Sequence, residues 1–434
     1  MISRSISLKV GTLVLVGALV ATLTACGGNG GDDPGGTGKA EETATTTAEP
    51  TPTNDPDEVQ VVTGQVPADA ASQMAALAEP LFPLAVESAE QPVNPAYSPL
   101  SVYLALGLVA NGASGQSAEE FAALLGGDLD KVNQLAAGVM TEYVTTSDGP
   151  TLAVANSLWL NLNFTVDPGF EETAKAVFRA EATSLDLQAE GKERINTWVA
   201  EKTNDLIQAI IDEVNDQAVA YLVNALYFKG TWKEQFSEGA TQDQSFTLAD
   251  GTTVQVPTMV VTDLYAPYFK TDAGEGIILP YEGGRFAMAL YMPAGGLDQI
   301  SWNGQEIASW LATAEDVDGI DLYLPKWESN LSVKLNEPLQ ALGLVTPFTG
   351  GANDLVGIGT TNSGQPIFVS EVAHKTVVKV DEFGTEAAAV TSIGMDAMAA
   401  PVEPIQVHFD RPFAYAIVDL DTGLPLFIGQ VDNP

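Results

Sequence analysis

The chain of 434 residues contains very little cysteine, histidine or positive charge. Its single cysteine excludes an internal disulfide. It has two histidines and no HExxH, CxxC or Walker-type sequence, so the usual ligands for zinc, redox and phosphate chemistry are missing and we expect no cofactor. The net charge of −39, from 18 basic and 57 acidic residues, argues against binding nucleic acid or a heparin-like polyanion.

The first 25 residues have the pattern of a bacterial secretion signal. Arg4 and Lys9 supply the positive start, and Val10–Val20 is an apolar run that is short for a membrane span. The following Leu23-Thr24-Ala25-Cys26 resembles the lipobox of bacterial lipoproteins, which implies lipidation of Cys26. The alternative is a plain signal peptide followed by a buried thiol.

Composition divides the remainder into two parts. Residues 26–65 are rich in Gly, Thr, Pro and Asp, so they predict a disordered tether that cannot bury enough apolar surface to fold. Residues 66–434 carry the apolar patterns of a folded domain. We therefore expect an extracellular protein that is lipid-anchored to the outer face of the bacterial membrane, with release from the anchor as the alternative.

Four patterns predict elements of the domain. Asp69–Val86 has helical periodicity that Pro80 and Pro83 should kink or end early. Ser98 suits a helix cap before Pro99, which suits a first helical turn. Two apolar runs predict strands, Ala218–Phe228 and Phe368–Val380.

The segment Val380–Glu403 is unusual for a loop because it is long and rich in small apolar residues. Read with the two-residue period of a strand, the stretch Thr385–Ala397 has both of its charges, Glu386 and Asp396, on one face. The segment could therefore become a strand that is buried on one side. The simpler interpretation is an exposed Ala-rich loop or one turn of helix.

The run Glu382-Phe383-Gly384-Thr385-Glu386-Ala387-Ala388-Ala389 resembles the reactive-loop hinge of serpins. Similar blocks follow the family's order, and they include Ser98-Pro99-Leu100-Ser101 and Phe409-Asp410-Arg411-Pro412-Phe413. The resemblance implies one large domain of mixed α/β (α+β) class, with three β-sheets, eight or nine helices and a reactive loop at about 382–403. It also implies a serine protease inhibitor that acts as a suicide substrate, not an enzyme.

The resemblance further implies roles for individual residues. The hinge would comprise Glu382, Gly384, Thr385, Glu386, Ala387, Ala388 and Ala389. The family's usual spacing places the scissile bond at Met398–Ala399, and Met suits an elastase-, chymotrypsin- or subtilisin-like protease. Two polar clusters would control opening of the main sheet: the shutter, formed by Ser98, Ser101, Asn224 and His374, and the breach, formed by Trp232, Lys326 and Glu382.

Two alternatives to an inhibitor remain open at this point. A non-inhibitory serpin would act as a carrier or a decoy substrate, and an unrelated lipoprotein would bind a solute or a host surface through a pocket. Small residues at the inward hinge positions favour inhibition, because they are cheap to bury. Phe383 departs from the charged or polar residue that the family often has there. We expect a monomer whose partner is a serine protease in covalent complex.

Overall fold

The computed structural model describes residues 59–90, 92–143, 150–214, 220–349, 353–385 and 403–434. By its contacts the chain divides into Met1–Pro56 and Asp57–Pro434, and every described residue belongs to the second unit. The predicted signal segment and Cys26 lie outside the described residues. So do Glu386, Ala387, Ala388, Ala389, Met398 and Ala399.

Nine α-helices lie within these ranges: α1 Ala70–Met74, α2 Leu81–Ser88, α3 Pro99–Ala110, α4 Gly115–Leu124, α5 Leu129–Glu142, α6 Pro168–Ala176, α7 Lys192–Lys202, α8 Glu306–Thr313 and α9 Asn336–Ala341. The predicted interruption of the helical pattern Asp69–Val86 is confirmed: α1 ends at Met74 and α2 begins after Pro80, with Pro83 inside its first turn. The predicted start of α3 is also confirmed, since the Ser98 side chain accepts a hydrogen bond from the Ser101 N–H. No helix of the described chain is long and apolar enough to cross a membrane.

The described chain has seventeen strands: β1 Ala96–Tyr97, β2 Thr151–Asn161, β3 Phe164–Val166, β4 Glu181–Leu185, β5 Ala220–Thr231, β6 Gln242–Thr247, β7 Thr253–Thr271, β8 Gly274–Pro280, β9 Phe286–Pro293, β10 Glu315–Pro325, β11 Trp327–Lys334, β12 Gly359–Thr361, β13 Ala373–Asp381, β14 Gly384–Thr385, β15 Ile405–His408, β16 Phe413–Asp419 and β17 Pro425–Val431. The predicted apolar strand Ala218–Phe228 is confirmed as β5.

One large sheet has nine strands in two halves that share β7. One half runs β1-β17-β16-β9-β8-β7, and the other joins β7 to β6, β10 and β15. The second large sheet has six strands in the order β11-β13-β14-β5-β2-β4, and β3 pairs with β12 in a small ladder. The three sheets expected from the serpin resemblance are therefore present, two of them joined through β7.

The six-stranded sheet is covered on both faces. On one face β5 packs into the main core with α3 and the nine-stranded sheet, through residues such as Leu226 and Phe228. On the other face α7 packs over β2 and β5, where Trp198 lies edge-on to Trp159 with ring centroids 6.3 Å apart. Burial on both faces explains why β5 is an almost continuous apolar run.

The strand predicted at Phe368–Val380 begins later than expected, at Ala373. The first residues of the predicted segment form backbone hydrogen bonds outside the sheet. The Val369 N–H donates to the Pro347 carbonyl at 2.9 Å, and the Ser370 carbonyl accepts from the Asn336 side chain at 3.0 Å. Apolar patterning cannot distinguish such a segment from a strand, because the competing partners are distant in sequence.

The first described residues contact the folded helices. The Val62 N–H donates to the Ala176 carbonyl at the end of α6 at 2.9 Å, and the Gly64 N–H donates to the Thr141 hydroxyl of α5 at 3.2 Å. Composition alone places these residues in the tether, and ordered contacts thus begin a few residues before Val66.

Candidate functional site

The chain reverses direction at the top of the six-stranded sheet. β13 ends at Asp381, Glu382 and Phe383 form a two-residue turn, and β14 returns antiparallel to β13 with Asp381 opposite Gly384 and Val380 opposite Thr385. Gly384 is required here because its φ is 150° and a Cβ would overlap the carbonyl oxygen of Gly230. The predicted hinge therefore starts as a tight hairpin.

β14 lies between β13 and β5. It is antiparallel to both strands, and Thr385 pairs with Val380 on one side and with Gly230 on the other. Among the described residues no pairing joins β5 directly to β13, so β14 alone connects the two halves of the sheet. We call the gap below β14, between β5 and β13, the slot.

The side chain of Thr385 points into the core. Thr385 is 2% exposed, and its hydroxyl shares a 2.7 Å hydrogen bond with the hydroxyl of Tyr281, which is fully buried. A threonine is small enough for this position, and Tyr281 satisfies its polar group. The inward direction of Thr385 is the one that the two-residue period of the loop predicted.

Glu382 forms a buried ion pair at the turn. Its carboxylate accepts from the Lys326 ammonium at 2.7 Å and from the Thr241 hydroxyl at 2.7 Å, while its side chain is only 5% exposed. Burial alone would raise the pKa of Glu382, but the hydrogen bonds from Lys326 and Thr241 outweigh it and lower that pKa. The carboxylate is thus held ionised against one specific cation.

Trp232 fixes the backbone of the turn. Its backbone N–H donates to the Phe383 carbonyl at 2.8 Å, and its indole N–H donates to the Asp381 carbonyl at 3.0 Å. Its ring stacks on that of Tyr281 with the ring centroids 4.6 Å apart. The predicted breach residues Trp232, Lys326 and Glu382 therefore meet at one point. The contact with residue 383 is made by its backbone, so phenylalanine there leaves it intact.

The predicted shutter residues are joined in one chain of hydrogen bonds midway down the slot. The Ser98 N–H donates to His374 Nε2 at 3.1 Å, the Ser98 hydroxyl accepts from the Ser101 N–H at 3.1 Å, and the Ser101 hydroxyl donates to Asn224 Oδ1. His374 lies on β13 and Asn224 on β5, so the network links the two walls of the slot through the start of α3.

Sequence reasoning missed three members of these clusters. Asn156 extends the network, because Asn224 Nδ2 donates to its Oδ1 at 2.7 Å and its own amide donates to the Phe178 carbonyl at 2.8 Å. Thr241 and Tyr281 bind Glu382 and Thr385. Asn156 was detectable as a lone amide in an apolar strand, whereas the other two carry no signal before the fold is known.

His374 makes the stability of the domain depend on pH. Burial lowers its pKa from 6.5 to about 4, and its Nε2 must be unprotonated to accept from Ser98. Between pH 6.5 and about pH 4 the unfolded chain binds more protons at His374 than the native chain does. The free energy of unfolding therefore decreases as the pH falls through this range, and above it His374 makes no contribution to the pH dependence. We expect a loss of about 2 kcal/mol between pH 7.5 and pH 5.

The measurement is denaturant unfolding at both pH values for the parent and for His374→Gln. The variant should lose most of this extra pH dependence, whatever its stability at pH 7.5. Equal pH dependence in both proteins would contradict the assignment.

The geometry is that of a six-stranded sheet in which β5 and β13 are joined, among the described residues, only by the two residues of β14. Comparison with known proteins agrees: the family model "Serpin (serine protease inhibitor)" matches residues 73–434. The chain belongs to the serpin family. Members of this family are generally not enzymes but inhibitors that bind serine proteases. No group of three or more His, Cys, Asp or Glu side chains in the described ranges could hold a metal ion.

Similar proteins come from plants, animals and a thermophile. Serpin-Z2B of Triticum aestivum is 33% identical over 363 residues, covering 79% of this chain and 90% of that protein. A serine protease inhibitor of Rattus norvegicus is 32% identical over 352 residues, covering 79% of this chain and 83% of that protein. The native state of tengpin, a thermophilic serpin, has a TM-score of 0.77 at 28% identity, covering 86% of this chain and 97% of that one.

Proposed function

We propose that this chain is an inhibitory serpin that traps a serine protease as a covalent acyl-enzyme. The protease would cut the reactive loop, and the loop would then enter the slot as a new central strand. The observation that carries this proposal is β14, two residues of the hinge that already pair with β13 and β5. Strand addition needs no new folding at this point, only extension of a ladder that has begun.

The register of β14 gives the expected course of insertion. Continued in that register on insertion, the residue after Thr385, Glu386, would lie between Lys379 and Lys229. Both lysines belong to the face opposite the buried Val380, so the glutamate would be placed outward between two cations. Opposite charges across neighbouring strands support pairing modestly.

The same register brings the loop to the shutter. Six residues beyond Thr385, Thr391 would lie beside His374 on one wall and Asn224 on the other. The inward residues before it would be Ala387 and Ala389, opposite Val378 and Thr376 on β13. Small inward side chains and a hydroxyl at the polar network are what rapid burial requires, because no charge has to be desolvated.

The target class follows from Met398, which we propose as the residue before the scissile bond. Methionine fills an apolar specificity pocket and lacks the charge that a trypsin-type pocket binds. We expect elastase, chymotrypsin or subtilisin to be inhibited at least about tenfold faster than trypsin. Oxidation of Met398 to the sulfoxide should weaken inhibition, and trypsin as the best target would overturn the assignment.

We also propose that the chain is exported, lipidated at Cys26 and held at the outer face of a bacterial membrane by the tether. The support is the lipobox-like sequence and the tether composition. Incorporation of a labelled fatty acid should occur in the parent and be lost in Cys26→Ala. Equal labelling of both would contradict lipidation at this residue.

The inhibitory proposal is tested by incubation with the protease panel. A complex stable on a denaturing gel supports inhibition, and mass spectrometry of the products locates the cut. An active-site-blocked protease is the control, because it should bind without forming the stable complex. Clean cleavage without complex would support the decoy or carrier alternative, and absence of any reaction would support a solute-binding lipoprotein.

A further inference from the structure

A small cavity lies beside the hinge, because two of its lining residues, Trp232 and Phe236, are hydrogen-bonded to the turn before β14. It is enclosed by the connection from β5 to β6, by β7 and by the end of β8, and its volume is about 180 Å³. Its inner walls include Trp232, Phe236, Leu264 and Leu279, all of which are nearly inaccessible to solvent. Dry apolar cavities of roughly 150 Å³ bind benzene, so this one has room for one small aromatic ring system.

The mouth of the cavity is polar and mainly acidic. Tyr265, which is 59% exposed, and Asp316 both line it. Glu234 adds a second carboxylate, while Lys233 supplies one positive charge at the same rim. The excess of carboxylates, on a chain with a net charge of −39, favours a ligand that carries a cation.

The segment that lines the cavity also holds the hinge. The Trp232 N–H donates to the Phe383 carbonyl at 2.8 Å, and the Phe236 N–H donates to the Glu382 carbonyl at 3.0 Å. Trp232 and Phe236 thus line the cavity and hold the turn before β14 through their backbone amides. A ligand in the cavity would restrain the residues that position β14.

We propose that this cavity binds a small aromatic amine, with its ring against Trp232 and Leu264 and its ammonium group at Asp316, and that the bound ligand stabilises β14 in the sheet. The binding and the effect on β14 do not depend on protease inhibition. Only the consequence for inhibition rests on the proposed function: a ligand here would regulate the start of loop insertion.

Tryptamine is the probe, with indole as the uncharged analogue and indole-3-propionate as the anionic one. Titration calorimetry should show binding in the order tryptamine, indole, indole-3-propionate. Asp316→Asn should weaken tryptamine by about two- to fivefold, as expected for an exposed ion pair, and leave indole unchanged. Leu264→Trp fills the cavity and should abolish binding of all three.

The coupling is tested by amide hydrogen exchange of the intact protein without protease. Saturating tryptamine should slow exchange at Gly384 and Thr385 at least twofold in the parent and leave the rate unchanged in Leu264→Trp. Absence of tryptamine binding, or equal binding by the anionic analogue, would overturn the site. Binding with unchanged exchange at both residues would overturn the coupling. Because Asp316 is exposed, Asp316→Asn keeps the test valid if Leu264→Trp does not fold.

Discussion

Thr385→Arg should convert the protein from an inhibitor into a substrate. Thr385 is 2% exposed between β13 and β5, and its hydroxyl is hydrogen-bonded to the hydroxyl of Tyr281. A guanidinium at this site has no anionic partner, and an unpaired buried charge costs several kcal/mol even after relaxation. Arginine should therefore expel β14 from the sheet, so that insertion would have to begin by burying the charge. Because a barrier increase of about 1.4 kcal/mol slows a step tenfold, the ratio of covalent complex to cleaved protein should fall at least about tenfold.

The matched control for this variant is Glu386→Gln. Continuation of the β14 register would direct residue 386 to the outer face, so loss of its charge should remove only a modest attraction to Lys229 and Lys379. The control should retain most of the parent's ratio of complex to cleaved protein. If Thr385→Arg traps protease as efficiently as the parent, the loop does not insert through this site and the inhibitory proposal fails.

Glu382→Lys should make the protein polymerise on mild heating. The substitution removes the partner of Lys326 and places a second cation in a site where the glutamate was 5% exposed. It also strands the Thr241 hydroxyl, and loss of a buried hydrogen-bonded partner costs on the order of 1–3 kcal/mol. A loosened turn would release β14 and leave the top of the slot open to a strand from another copy.

Glu328→Lys is the control for this second variant. Glu328 lies in the neighbouring β11 and pairs with Lys379, but both side chains are about half exposed, so the same change of charge should matter little. Monomer content after graded heating is measured by size-exclusion chromatography. The combined exchange Glu382→Lys with Lys326→Glu should restore part of the monomer, and unchanged monomer in Glu382→Lys alone would refute the role of the pair.

Local chemistry was enough to predict the start of α3, the break at Pro80 and the strand β5. In each of these the decisive signal lies within a few residues: Ser98 before Pro99, a proline in a helical pattern, and a continuous apolar run. The late start of β13 was not predictable, since Val369 and Ser370 are hydrogen-bonded to Pro347 and Asn336. Such competition between distant partners is decided only by the whole fold.

For the site, the family resemblance selected Glu382, Lys326, Trp232 and the four shutter residues, and the structure brings each set together. What no sequence pattern indicated is that the hinge already occupies the sheet. That arrangement depends on Tyr281, which comes from the end of β8 and meets Thr385 more than a hundred positions later in the chain. A single buried hydroxyl pair of this kind has no periodicity to reveal it.

The direction of β14 determines what kind of sheet the slot would become. β14 runs antiparallel to both β13 and β5, so these two strands run parallel to each other. Direct closure of the gap could only form a parallel ladder, which is slightly less stable per residue than an antiparallel one. A loop strand would instead create two antiparallel ladders at once and leave β2 with β4 as the one parallel pair among the six strands described. In the proposed mechanism the native sheet would therefore be the less well bonded of the two arrangements, and this difference would favour loop entry.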